Sequence, residues 1–156
     1  EDLRSFDKLK QHDLIPFNEL HNRLGGIMTA HISFPEIDNN IATFSKYWLQ
    51  NILREKIKFK GEIFSDDLSM KGTDFIGGID HKVQKALESG CTMILICNDR
   101  SAALQALRFM EKQSTSQSTT LTSLKASKIV SWEKLEKDPR HKEIINQIHN
   151  LGLAIA

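Results

Sequence analysis

The chain has 156 residues, 40% of them hydrophobic and 26% charged, so it has room for one globular domain with a core and is short for two. Its formal net charge of +1 argues against a nucleic acid or an anionic membrane surface as partner. No apolar run approaches the roughly 20 residues that cross a bilayer, and the charged residues 1–8 lack the apolar core of a signal peptide, so we expect a cytoplasmic protein. Because the chain begins with Glu1 rather than Met, we also expect that it was cut from a longer one.

The first third of the chain predicts helices on either side of one strand. Residues 1–24 start charged and become amphipathic, with apolar residues at near-helical spacing within 14–24, and we expect Pro16 to divide this stretch into two helical pieces. Residues 27–31 are short, apolar and preceded by two glycines, which is typical of a buried parallel strand. The loop-like composition of residues 32–40 is followed by a clear helical pattern at 43–57.

The middle of the chain alternates between strands and helices. In chain order we predict a strand at 61–67, a loop at 72–78, a helix at 81–89 closed by Gly90, a strand at 92–97 and a helix at 101–112. This alternation predicts an α/β fold with a parallel sheet and right-handed crossovers, as in doubly wound folds or β/α barrels.

The last 43 residues differ in composition from the rest. We therefore divide the chain into an α/β part at 1–113, a polar, low-complexity linker at 114–123 and a helical tail at 124–156. Apolar residues on two helical pieces, separated by Pro139, are expected to pack this tail against the side of the α/β part.

Polar side chains stand at the predicted strand ends, where ligands bind in parallel β/α folds. Asp66 and Asp67 are adjacent, and because successive strand side chains point to opposite faces, only one of them can be catalytic. If Phe64 and Asp66 face inward, Asp67 faces outward or caps the following loop, and we favour the capping role. Ser65 and Asn98 are further candidates for contact with a ligand.

His31, at the end of the first predicted strand, has several open interpretations. It could be a general acid, a group that hydrogen-bonds a substrate, a residue that orients Asp66, or a satisfied polar residue with no further role. Cys91 and Cys97 lack His or Cys neighbours at metal-ligand spacing, so we predict reduced thiols. We expect neither a metal site nor a cofactor, since no phosphate-binding glycine loop occurs either.

Residues 63–70 read IFSDDLSM, and this stretch resembles the nucleophile segment of bacterial β-N-acetylhexosaminidases of glycoside hydrolase family 3. Segments in the family order and spacing surround it: 12–17 (HDLIPF), 27–31 (IMTAH), 34–38 (FPEID), 42–45 (ATFS), 86–91 (ALESGC) and 93–98 (MILICN). The resemblance covers roughly residues 1–110 and is weak in the tail.

The resemblance implies a (β/α)₈ barrel, of which this chain supplies the last three strands and their helices. It further implies a retaining mechanism in which Asp66 forms a covalent glycosyl-enzyme, during hydrolysis of terminal N-acetylglucosamine from muropeptides in cell-wall recycling. His31, Ser65, Met70 and Asn98 are then candidates for lining the substrate pocket.

The family's acid/base residue, a histidine of a His-Asp pair, belongs to an earlier segment that this chain lacks. No Lys-His-Phe-Pro-Gly-His stretch is present, and a barrel of eight strands typically needs about 250 residues. We therefore expect the isolated chain to be inactive. Its alternative role is a non-catalytic half-barrel that pairs with a second copy or with a separate N-terminal half. A complete small α/β binding domain is a third interpretation.

Two positions depart from the family pattern. Glu62 stands where the family usually has an apolar residue, and alternation with Phe64 and Asp66 turns it inward. A buried carboxylate there would cost several kcal/mol unless it were paired or neutralised. Ile41 stands where the family often has proline, a milder change that loosens the loop.

Overall fold

A computed structural model describes residues 1–113, 121, 124–126 and 128–151. The fold is mixed α/β, and the chain divides into two compact units, Glu1–Leu124 and Lys125–Ala156. Apart from Leu121, the predicted linker at 114–123 lies outside the described residues. The predicted packing of the tail on the α/β part stays a prediction.

The elements of the first unit are α1 (Phe6–Gln11), α2 (Ile15–Leu20), β1 (Gly26–Met28), a 3₁₀ helix (Ala42–Phe44), a π-helix (Tyr47–Lys56), β2 (Glu62–Phe64), a second 3₁₀ helix (Lys71–Ile76), α3 (Ile79–Ser89) and α4 (Arg100–Lys112). The second unit contains α5 (Trp132–Glu136) and α6 (Pro139–Asn150). Across the described ranges, no helix is both long and apolar enough to span a membrane.

The two strands form a parallel pair in which Ile27 lies opposite Ile63. On the far side of β2, Phe64 forms a parallel bridge with Met93, and Ser65 N–H donates to Met93 O over 2.8 Å. The predicted parallel arrangement of three neighbouring chain segments is thereby confirmed. Both strands are shorter than the predicted ranges 27–31 and 61–67.

The predicted strand at 92–97 is wrong in extent, because it pairs as a strand only through the bridge at Met93. The pairing ends early because a side chain takes the place of a backbone hydrogen-bond acceptor. Leu95 N–H donates to the hydroxyl of Ser65 over 2.9 Å instead of to a backbone carbonyl, so the regular ladder stops there.

The predicted helix at 43–57 is divided in two by Ser45. Its backbone is extended, with φ −107° and ψ 110°, and its hydroxyl accepts the N–H of Trp48 over 3.0 Å, so a new helix starts after it. The π-helix that follows ends where Ile57 N–H donates to Ile52 O, five residues back.

One further expectation needs correction. The predicted loop at 72–78 contains the 3₁₀ helix Lys71–Ile76, whose first turn is tightened because Thr73 Oγ1 donates to Met70 O over 2.8 Å. The two helical pieces predicted in residues 1–24 are present as α1 and α2, and the helix pair predicted in the tail is present as α5 and α6. Pro16 and Pro139 each lie in the first turn of the second helix of the pair, where a missing N–H costs nothing.

The core lies between the sheet, the π-helix and α3. Its most deeply buried apolar side chains, each at most 1% exposed, are Ile52, Phe59, Ile63, Leu68, Val83 and Ala86. Burying a side chain of the Leu, Ile, Val or Phe class contributes about 1.5–3 kcal/mol. This packing fixes β2 and therefore the segment at 65–70 that follows it.

Glu62 is fully buried, and so is its neighbour Ile63 on the other face of β2. Arg54 of the π-helix lies at the same end of β2, since its guanidinium donates to Phe59 O over 2.9 Å and to Gly61 O over 2.7 Å. Burial lowers the pKa of Arg54, and the negative charge of Glu62 opposes that shift. The two charges thus offset part of each other's burial cost.

Candidate active site

The carboxyl ends of β1, β2 and the segment at 92–97 meet at one edge of the sheet. Asp66 N–H donates to Thr29 Oγ1 over 3.0 Å, which joins the end of β2 to the end of β1. Ser69 Oγ lies 2.8 Å from Cys97 O, which brings the same segment against the third. The polar residues that the sequence analysis assigned to three strand ends therefore lie on one side of the molecule.

Asp66 is half-buried at this edge. Its Oδ1 accepts the N–H of Asp67 over 2.8 Å, a contact that orients the carboxylate. Among the described residues, no hydrogen bond engages the other oxygen, Oδ2. A carboxylate held through one oxygen, with the second available, can act as a nucleophile or as a base.

Asp67 is occupied by structural hydrogen bonds. Its Oδ1 accepts the backbone N–H of Ser69 and that of Cys97, each over 2.9 Å, and Ser69 Oγ lies 2.7 Å from Oδ1 and 2.8 Å from Oδ2. Burial alone would raise the pKa of Asp67, but the hydrogen bonds from Cys97 and Ser69 outweigh it and the pKa lies below its usual value. These are the contacts of a residue that caps a turn.

His31 uses both ring nitrogens within the chain. Nε2 lies 2.9 Å from the backbone oxygen of Asp67, and Nδ1 lies 2.9 Å from Oγ1 of Thr43. The ring stacks on Phe44, with centroids 6.2 Å apart and planes inclined by 20°. His31 therefore contacts the backbone next to Asp66 and has its proton positions committed to other groups.

The other candidates for the substrate pocket lie in different surroundings. Ser65 is fully buried, and its hydroxyl joins β2 to Leu95. Met70 is 47% exposed after the turn that Asp67 caps. Asn98 is exposed with a positive φ of 58°, a conformation that asparagine tolerates well. The pocket role of all three stays a prediction.

Two contributors to this edge were not singled out from the sequence. Thr43 is fully buried and hydrogen-bonds both Thr29 and His31. Lys82, on α3, is only 6% exposed, and its Nζ donates to Leu68 O over 3.2 Å and to Asp74 Oδ1 over 2.9 Å. A lysine and a threonine within amphipathic helical patterns give no sequence signal for such contacts.

In the described part of the chain, no three His, Cys, Asp or Glu side chains are grouped so that they could hold a metal ion. The chemistry that the described residues support is that of one available carboxylate. Asp67 and His31 are both engaged in internal hydrogen bonds, and the roles that the sequence left open for His31 stay predictions.

Comparison with known proteins identifies the family. Residues 2–128 match the family model described as the glycosyl hydrolase family 3 N terminal domain. A β-hexosaminidase of Idiomarina loihiensis is 42% identical over 147 residues, which is 92% of this chain and 44% of that protein. A β-hexosaminidase of Pseudomonas aeruginosa is 45% identical over 72% of this chain and 34% of its own length. The chain thus spans less than half the length of these curated relatives.

Solved structures agree with this result. NagZ of Neisseria gonorrhoeae matches with a TM-score of 0.61 and 31% identity, over 81% of this chain and 40% of that one. The β-N-acetylglucosaminidase of Thermotoga maritima matches with a TM-score of 0.65 and 29% identity, over 92% of this chain and 30% of that one. The family model, the sequence relatives and the structural neighbours agree, and the chain belongs to glycoside hydrolase family 3.

Proposed function

We propose that this chain supplies the nucleophile, Asp66, of a retaining β-N-acetylhexosaminidase. The substrate class is a glycoside with a terminal N-acetylglucosamine, and we infer that it is a muropeptide released during cytoplasmic recycling of peptidoglycan. Support comes from relatives named β-hexosaminidase and a structural neighbour named β-N-acetylglucosaminidase.

The observation that carries the proposal is the unequal use of the two oxygens of Asp66. Oδ1 accepts the Asp67 N–H, and Oδ2 has no hydrogen bond with any residue described. In a retaining mechanism such an oxygen attacks the anomeric carbon, the bond to the leaving-group oxygen breaks, and water later releases the sugar from the enzyme. The leaving group needs a proton donor, and we infer that this group belongs to a segment outside these 156 residues.

We further propose that the chain is the last part of a (β/α)₈ barrel. Three adjacent parallel segments, with helices between them, are what such a part would contribute. Eight strands are needed for closure, so the barrel requires a further polypeptide segment. The nucleophile then stands at the carboxyl end of its strand, as active-site residues do in this architecture.

The test uses a chromogenic β-N-acetylglucosaminide. The 156-residue chain alone should give no turnover. When the chain replaces the matched 147 residues of the Idiomarina loihiensis relative, the chimera should be active. Asp66→Asn in the chimera should lower kcat by about 10³-fold or more, since it removes the nucleophile. Glu36→Gln, which removes an exposed carboxylate, should leave the rate unchanged.

Turnover by the isolated chain that Asp66→Asn abolished would contradict the need for a further segment. An active chimera that kept its rate with Asn at position 66 would contradict the nucleophile assignment.

A half-barrel that associates without catalysing is the second candidate, and the outer edge of β1 favours it. Thr29 N–H donates to Phe64 O and Gly25 O accepts the N–H of Glu62, so the odd-numbered residues face β2. The backbone groups of Gly26 and Met28 therefore point to the opposite edge, where another strand can pair. Beside this edge lies an apolar groove of about 300 Å³.

Sedimentation separates the two candidates. A stable monomer at dilute concentration would count against self-association. Restored turnover after addition of a separately made N-terminal half would favour a split enzyme over a non-catalytic role.

A further inference from the structure

Asp66 lies between two backbone hydrogen bonds made by side chains from another part of the chain. On its N-terminal side, its own N–H donates to Thr29 Oγ1 over 3.0 Å. On its C-terminal side, the carbonyl of Asp67 accepts from His31 Nε2 over 2.9 Å. Thr29 and His31 both belong to the segment that follows β1, so one segment holds the backbone on both sides of the carboxylate.

Thr43 links these two holders to each other. Its Oγ1 lies 2.9 Å from Thr29 Oγ1 and 2.9 Å from His31 Nδ1. The hydrogen bonds therefore run without interruption from the Asp66 amide through three side chains to the Asp67 carbonyl. We call Thr29, Thr43 and His31 the relay.

The chemistry of the end groups sets the direction of the relay. A backbone carbonyl only accepts, so Nε2 of His31 carries a proton. In a neutral imidazole Nδ1 then accepts the Thr43 hydroxyl proton, and Thr43 Oγ1 accepts that of Thr29. Thr29 Oγ1 in turn accepts the amide proton of Asp66. Every donor is matched by one acceptor when His31 is the neutral Nε2–H tautomer.

The relay is anchored by the surrounding packing. Thr43 is fully buried, its N–H donates to Ala30 O over 3.3 Å, and its carbonyl accepts from Cys91 Sγ over 3.8 Å. The His31 ring lies on Phe44, which is 3% exposed. A satisfied and buried polar network of this kind favours one arrangement over its alternatives.

We propose that Thr29, Thr43 and His31 are positioning residues that fix the backbone of Asp66, with His31 donating through Nε2 and accepting through Nδ1. This inference rests on the proposed nucleophile role of Asp66. Loss of the relay leaves the carboxylate in place but less well aimed, and a misplacement of about 1 Å can cost about 10²-fold in rate.

The test is nuclear magnetic resonance of the isotope-labelled 156-residue chain. The ¹⁵N shifts of the His31 ring should report the Nε2–H tautomer. Thr43→Val removes a hydroxyl that does not touch Asp66, yet it should alter the His31 tautomer ratio and speed exchange of the Asp66 amide by about fivefold, the effect of one lost neutral hydrogen bond. Thr43→Ser, which retains the hydroxyl, should restore both signals.

Thr92→Val is the matched control, because the Thr92 hydroxyl bonds Ile63 in the same sheet without entering the relay. It should leave the His31 tautomer and the Asp66 amide unchanged. If Thr43→Val does not fold, Thr29→Val at the half-buried end of the relay makes the same measurement.

An Nδ1–H tautomer of His31 would overturn the proposal, as would an Asp66 amide that exchanges at the wild-type rate in folded Thr29→Val. These signals need no turnover, so a failed relay leaves the nucleophile assignment standing. Conversely, an active enzyme with Asn at position 66 would refute the proposed function without changing the signals.

Discussion

Asp67→Ala should destabilise the first unit more than the removal of one half-buried side chain usually does. The carboxylate accepts two backbone N–H groups, those of Ser69 and Cys97, and the Ser69 hydroxyl. A buried donor left without a partner costs about 1–3 kcal/mol, and water can reach part of this site, so we expect a total loss of about 2–4 kcal/mol. Asp67→Asn keeps one carbonyl oxygen and should lose about 1–2 kcal/mol, the part due to charge.

Urea unfolding of the 156-residue chain, followed by circular dichroism, measures these losses. With a slope of about 2 kcal/mol per molar, Asp67→Ala should lower the midpoint by about 1–2 M and Asp67→Asn by about half as much. Glu36→Gln removes an exposed carboxylate and should change stability by less than about 0.5 kcal/mol.

The same experiment has a defined pH dependence. The folded-state pKa of Asp67 lies below its usual value, so the unfolded chain binds the proton more tightly. The stabilisation is fully present above the unfolded pKa of about 3.9 and is lost as the pH falls through the lower folded value. The difference in unfolding free energy between wild type and Asp67→Ala should therefore become smaller in acid. Equal midpoints for wild type and Asp67→Ala at pH 7, or a difference that does not become smaller in acid, would refute the reasoning.

Three further predictions concern packing and reactivity. Gly61→Ala should destabilise by about 1–3 kcal/mol, because its Cβ would lie 2.5 Å from a backbone oxygen. Gly78→Ala, with no atom within 4 Å of its Cβ, should be tolerated when the two variants are compared by urea unfolding. Ile52→Ala empties a site that is 1% exposed and should cost about 2–5 kcal/mol in urea unfolding. Burial raises the pKa of Cys91 to about 12, so iodoacetamide at pH 8 should modify it at least roughly tenfold more slowly than half-buried Cys97, as judged by mass spectrometry; equal rates would contradict this.

The order and direction of the strands were predictable because they depend on local pattern. Short apolar runs alternating with helical periodicity predict parallel neighbours, and β1, β2 and Met93 are parallel neighbours. Successive side chains on a strand point to opposite faces, which predicts different surroundings for Asp66 and Asp67. Of the two, Asp67 makes the side-chain contact with the neighbouring segment. The polar residues at the predicted strand ends likewise indicated which edge of the sheet carries the candidate site.

The remaining features depend on contacts between distant residues. The regular pairing at 92–97 ends because a hydroxyl thirty residues earlier, that of Ser65, takes the Leu95 N–H. Thr43 reaches His31 and Thr29 only once its helix packs against β1. Arg54 offsets the charge of Glu62 from a different element. In the sequence, a hydroxyl or charged residue within a helical pattern looks the same whether its side chain faces solvent or a distant polar group.

Covalent trapping of the glycosyl-enzyme intermediate identifies the nucleophile itself. The active chimera would be treated with a slowly hydrolysed fluorinated N-acetylglucosaminyl fluoride, digested and examined by peptide mass spectrometry. We expect a sugar adduct on the carboxylate of Asp66 and no adduct in Asp66→Asn. An adduct on Asp67 or on another carboxylate, in an enzyme that still turns over, would contradict this expectation.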